Sequence, residues 1–244
     1  MMDAEFSMSY GTLAGSTRTT RLLRLTDQAH GQKAPLVLIS DLTDVGRSDI
    51  LIRVRQVASL LTLRERPLYL VHWARPWREG GGERFSPLVR DLDALIRSVL
   101  PNAGAMHIAT FGSGALIGFK WLAHCTREGN PVPVCSLSLL APSLSVMGRA
   151  PRTSLASAPA RSCVVTDMAG RAADWAETIS LAARLPHPPE FIALDNPEHY
   201  LVARDTRTLT DTGPGEFIEF AGSWKQAWCD WLSAAEPDTA RLAS

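Results

Sequence analysis

Short, mostly apolar runs recur along the chain and alternate with segments whose apolar positions repeat every three or four residues. Pro35-Leu-Val-Leu-Ile39, Pro67-Leu-Tyr-Leu-Val71, Met106 to Phe111, Val134 to Leu140, Ser162-Cys-Val-Val-Thr166 and Pro189 to Leu194 read as strands. Their near-continuous apolar character marks strands covered on both faces, because a strand with one wet face alternates instead. Between them, helical spacing appears in Leu51, Val54, Ala58 and Leu61, in Leu88, Leu92, Leu95, Ile96 and Val99, from the Gly-Ser-Gly corner to about Arg127, and from Ala172 to Leu185. Ser86 as N-cap with Pro87 at the first helical position marks one helix start, and Pro101-Asn-Ala-Gly104 marks its stop. Residues 1 to 34 alternate polar and apolar positions, as expected of one or two antiparallel edge strands.

Strand and helix alternating through short connections predict an α/β fold, a mostly parallel central sheet with helices on both faces. Ligands in such sheets bind at the strands' C-terminal ends. The segment Ser143 to Arg161, rich in Ser, Ala, Pro and Arg, is too short for a helical lid and reads as a loop over the sheet edge, a minimal lid. After a Gly213-Pro-Gly215 turn come a short strand, Glu216 to Phe220, and a last helix with Trp224, Trp228 and Trp231 on one face. That indole face is expected to pack on the sheet, with docking of a protein partner as the alternative.

At 244 residues the chain fits one α/β domain spanning 1 to 244. Lys plus Arg and Asp plus Glu number 25 each, so no global field attracts nucleic acid or an anionic membrane. No apolar stretch approaches the roughly 20 residues that span a bilayer, and Met-Met-Asp-Ala-Glu does not resemble a secretion leader. A cytoplasmic protein is expected. Cys125, Cys135, Cys163 and Cys229 are widely spaced and read as reduced core thiols, so neither a metal nor a cofactor is expected.

The chemistry-bearing stretch is Met106 to Leu122, an apolar strand that breaks at Gly112-Ser-Gly114 and resumes as a helix. Such a strand-to-helix corner is where α/β-hydrolases hold a nucleophile above the sheet. From about Pro35 to Leu201 the chain resembles the thioesterase domains of nonribosomal peptide and polyketide synthases. The likeness is carried by Arg66-Pro-Leu-Tyr-Leu70 at the fourth strand, Leu92 to Pro101 before the corner, His107 to Leu116 at the corner, Arg127-Glu-Gly-Asn-Pro-Val-Pro-Val134 after its helix, and Pro197-Glu-His-Tyr200 as a histidine loop. Tyr69-Leu-Val-His-Trp73 also resembles polyhydroxyalkanoate synthases, whose larger domain and lid are absent. The resemblance implies the α/β-hydrolase fold and an acyl substrate linked to a carrier protein or coenzyme A.

Carried over residue by residue, the resemblance implies a degenerate triad. Gly112 stands where the nucleophile of G-x-S-x-G belongs, Ala141 where an acid follows the sixth strand, and Asp167 to Gly170 at the other usual place for the acid. His199 matches the histidine. Ser40-Asp41-Leu42 forms the loop that helps bind the oxyanion, where a carboxylate would repel developing negative charge. Trp73, Trp77 and Phe111, beside Gly112, are candidates for lining an acyl-sized pocket. Asp41, Asp44, Asp167, Asp195 and Glu198 are candidates to orient His199, while His72, His107 and His124 read as structural.

Three functions follow as expectations. The first is a thioesterase-like protein that binds an acyl substrate and uses His199 in a non-hydrolytic step such as cyclisation or elimination. The second is a catalytically silent assembly protein on a hydrolase scaffold. The third is a working esterase or thioesterase through Ser113, reached by a one-residue slip of the corner; otherwise Ser113 is expected to cap the following helix.

Overall fold

The computed structural model describes residues 12–17, 20–25, 33–42, 66–73, 85–100, 105–142, 156–167, 178–196, 199–203 and 218–235. The expected helix around Leu51 to Leu61, Asp44, Trp77, most of the expected lid loop and Glu198 lie outside these residues, as do the side chains of Asp167, Asp195 and His199.

The chain opens with an antiparallel pair, β1 (Thr12–Ser16) and β2 (Thr20–Arg24). Then come β3 (Leu36–Ile39), β4 (Leu68–Trp73), β5 (Met106–Phe111), β6 (Val134–Leu140), β7 (Ser162–Asp167) and β8 (Glu190–Asn196). β9 (His199–Ala203) and β10 (Ile218–Ala221) complete the strands described. The helices are α1 (Ser86–Val99) after β4, α2 (Gly114–Arg127) after β5 and α3 (Trp224–Ala234) after β10, and residues 178–182 are also helical. The strands form one sheet in the order β1-β2-β4-β3-β5-β6-β7-β8-β9-β10. From β4 through β8 in that order the neighbours run parallel, with antiparallel pairs on both flanks.

Two apolar cores follow from the two-residue period of a strand. Val37, Ile39, Tyr69, Val71, Ile108, Leu137, Leu139, Val164 and Phe191 face the core built with α1 and α2. Their neighbours Leu36, Leu38, Leu68, Leu70, Ala109, Leu140, Cys163, Val165 and Ile192 face the core built with α3. All four residues of β3 are buried, the outcome expected of a strand covered on both sides. Trp228 and Trp231 are buried against the sheet, and their indole N–H groups donate to Ser138 Oγ and Glu190 Oε1 at 2.8 Å each. Trp228 and Trp231 are therefore core, as expected of a face that packs on the sheet, while Trp224 is half-buried at its edge.

Differences from expectation are local. Ser86 is the first residue of α1, and Phe85 takes the N-cap position with no side-chain cap bond. His199 does not sit in a loop: it opens β9, paired with Asn196 of β8 and Ala221 of β10. Trp73 belongs to the α1–α2 core and Phe111 packs against the α3 core, so the two aromatics lie on opposite faces of the sheet and do not line one pocket.

The sheet order places the site. After β3 the chain adds β4 on one side, then crosses back to add β5 on the other. A reversal of this kind leaves a crevice outside the carboxyl ends of the two strands that flank it. Here those ends are Ser40-Asp41-Leu42 after β3 and Gly112-Ser113 after β5.

Candidate functional site

β5 gives way to α2 within two residues, Gly112 and Ser113. Gly112 has φ +52°, in the left-handed region where a residue with a β-carbon is strained. Its amide donates to Leu140 O at 3.2 Å, which ties the corner to the end of β6. A β-carbon on Gly114 would collide with the Ser40 carbonyl, so glycine there lets the first turn of α2 press onto the end of β3. The strand and helix boundaries thus put Gly112 at the elbow itself and Ser113 one residue beyond.

The seat beside Gly112 is filled from the neighbouring strand. A β-carbon built on Gly112 would collide with Asp41 Oδ2. The half-buried Asp41 carboxylate accepts two hydrogen bonds from Ser113: the amide donates to Oδ2 at 3.2 Å and the hydroxyl to Oδ1 at 2.5 Å. The Leu42 amide donates to Ser113 Oγ at 2.9 Å. Because a backbone amide can only donate, Ser113 Oγ must accept there and spend its single proton on Asp41. Ser113, 1 % exposed, is the residue that precedes α2, but its side chain makes no cap bond, so the capping role expected for it is replaced by this contact.

In an elbow of this kind two amides bind the oxyanion: one from the residue after the nucleophile and one from the loop after β3. The corresponding groups here are the Ser113 and Leu42 amides, and both are already engaged within the chain.

The other residues expected at the site support this loop. Ser40 is buried; its amide donates to Val71 O at 3.3 Å and its carbonyl accepts from Trp73 Nε1 at 3.1 Å. Leu42 is 1 % exposed in the α1–α2 core. Ser40, Leu42 and Trp73 thus hold the end of β3, while Phe111 is half-buried on the opposite face. Ala141 occupies the end of β6 with φ +44°, a left-handed residue that is not glycine, held by its amide to Val165 O at 2.8 Å. Such a conformation costs about 1–2 kcal/mol, and no carboxylate stands there.

His199 shares the sheet with the elbow at a distance. Four strand spacings, β5 to β6, β7, β8 and β9, separate their backbones, about 19 Å at ~4.8 Å each. His107 is buried with Nδ1 2.7 Å from Ser136 Oγ, and His124 Nδ1 lies 3.8 Å from Glu128, placements that fit structural roles.

A second polar cluster joins α1 to α2. Asp93 accepts from Arg97 Nε at 2.9 Å, Trp121 Nε1 at 3.1 Å and Cys125 Sγ at 3.3 Å. Burial alone would raise the Asp93 carboxyl, but these hydrogen bonds and the Arg97 charge together hold it below the usual range. Burial first, then the Asp93 carboxylate, push the Cys125 thiol up to about 12, and burial drives Cys163 well above its ordinary value. All four cysteines are free thiols. Among the described residues no group of three or more His, Cys, Asp or Glu is placed to hold a metal ion, and no helix is long and apolar enough to cross a membrane.

No family model matches the chain, and no curated protein matches it by sequence. Solved structures do. A hormone-sensitive lipase from a metagenome library is 14 % identical, with a TM-score of 0.58 over 92 % of this chain and 82 % of its own. An alpha/beta hydrolase from Sphaerobacter thermophilus is 14 % identical, with a TM-score of 0.53 over 91 % of this chain and 100 % of its own. A carboxylesterase structure from the thaumarchaeon Nitrososphaera gargenis is 13 % identical, with a TM-score of 0.53 over 75 % and 88 %. At these identities the likeness shows the fold, and the fold is that of the α/β-hydrolases.

Proposed function

We propose that this protein binds an acyl group of polyketide or peptide type, linked to a carrier protein or coenzyme A, at the C-terminal edge of its sheet, and that it does so without forming a seryl acyl-enzyme. One observation carries this: left-handed Gly112 takes the nucleophile's place, and the Asp41 carboxylate fills the space a side chain there would need. Acyl transfer through a serine needs an exposed hydroxyl, a base and free oxyanion donors. Ser113 is buried, and its amide and that of Leu42 are occupied. The lipase and carboxylesterase folds among the structural neighbours support an acyl-type ligand, and the local resemblance to synthase thioesterase domains supports a carrier-linked one.

His199 is the remaining member of the triad pattern, and a cyclisation or elimination that it serves requires a ligand long enough to run along the sheet edge from the elbow to β9. The engaged oxyanion donors equally favour a second reading, a silent binding protein on the same scaffold.

Titration calorimetry with an octanoyl-N-acetylcysteamine thioester, followed by mass measurement of the recovered ligand, tests the proposal. Saturable binding with the thioester intact is expected. Absence of binding overturns the acyl reading, and release of octanoate overturns the loss of hydrolysis.

A further inference from the structure

We infer that the elbow is a carboxylate-binding pocket that the chain fills with its own Asp41, an internal occupant that closes the oxyanion hole from within. The pocket is built from two strand ends. Ser113 presents its amide to Oδ2 and its hydroxyl to Oδ1, so each carboxylate oxygen of Asp41 has its own donor on one residue. The Leu42 amide fixes the Ser113 hydroxyl rotor by occupying its acceptor side. Two donors set side by side match the two oxygens of a carboxylate, whereas an oxyanion hole converges its donors on one oxygen. Glycine at 112 is the complement of this arrangement, since any side chain there would displace the carboxylate.

The consequence is an autoinhibitory contact. A carbonyl entering the crevice between β3 and β5 meets a carboxylate in place of hydrogen-bond donors, and its polarisation is opposed until Asp41 leaves. Asp41 is thus a specificity-determining residue: it excludes external carboxylates and developing oxyanions from the elbow. This deepens the proposed function and rests on it only in placing the binding site at the elbow.

Emptying the pocket should make it bind a small carboxylate from solution. Thermal unfolding of wild type, Asp41→Ala and Asp41→Asn is followed against sodium formate, with sodium chloride at equal ionic strength as control. Asp41→Ala is expected to gain a saturable, formate-specific rise in Tm of roughly 3–6 °C at a tenfold excess over its dissociation constant. Wild type and Asp41→Asn, whose pockets stay filled, are expected to show none. No formate-specific rise in folded Asp41→Ala, or an equal rise in wild type, overturns the inference.

Should Asp41→Ala not fold, the wild-type protein supplies the test. Its Ser113 and Leu42 amide resonances are expected to follow a single carboxyl titration that is missing in Asp41→Asn, and identical pH profiles in the two proteins overturn the inference. Formate rescue without acyl-thioester binding removes the acyl reading and keeps the pocket; acyl-thioester binding without rescue does the reverse.

Discussion

Asp41 Oδ2 occupies the place that a β-carbon on Gly112 would take. These residues come from different strand ends, and the contact between Asp41 and the elbow spans 72 positions of sequence. Gly112 and the carboxylate after β3 therefore share one space. Gly112 leaves the room that Asp41 occupies.

That dependence is measurable as a coupling energy. Gly112→Ala should destabilise the fold by about 1–2 kcal/mol for its left-handed backbone, plus the cost of displacing Asp41. In an Asp41→Ala background only the backbone cost remains. Urea unfolding of the two single variants and the double variant should therefore show non-additivity of about 0.5–3 kcal/mol, the range found for residues in contact. Additive losses would show that the two side-chain positions do not share space.

The tryptophan face makes a different prediction. Trp228 is fully buried and bonded to Ser138, so Trp228→Ala should cost about 3–5 kcal/mol, as large-to-small changes in a core do. Half-buried Trp224, whose ring lies 5.9 Å from Lys225 Nζ, should cost about 1 kcal/mol or less. Similar small losses at both positions, read from denaturant midpoints, would contradict packing on the sheet.

Acid should weaken the α1–α2 contact through Asp93. Its carboxyl is lowered in the folded state, so the stabilisation it contributes is complete above its unfolded value, near 3.8, and is lost as pH falls through the lower folded value. Between pH 5 and pH 2.5 the urea midpoint of wild type should fall further than that of Asp93→Asn. Parallel curves for the two proteins would show that Asp93 gains nothing from its partners Arg97, Trp121 and Cys125.

Much of this architecture was legible because buried strands leave a strong mark. β3 is apolar throughout, and Val134 to Leu140 is recovered as β6 residue for residue. The corner at Gly112 is legible too, since an apolar strand and a helical period meet there, and β5 ends and α2 begins on either side of it. β9 is not legible in the sequence because His199-Tyr-Leu-Val-Ala203 follows Asn196-Pro-Glu with no longer turn signal to announce a new strand, and its pairing with β8 and β10 is tertiary. A carboxylate at position 41 reads from the sequence as hostile to an oxyanion. Its contact with Gly112 does not, because local spacing carries no information about a contact between the ends of β3 and β5. The same limit explains Ser113, which cap chemistry assigns to α2 but whose hydroxyl is claimed by Asp41 and the Leu42 amide.

The most direct test of a hydrolase fold without a hydrolase nucleophile is the intact mass of the folded protein after incubation with a fluorophosphonate probe. Glycine at 112 and a buried, doubly engaged Ser113 predict an unchanged mass under conditions that fully label a serine esterase control. A single adduct that maps to Ser113 would contradict the account.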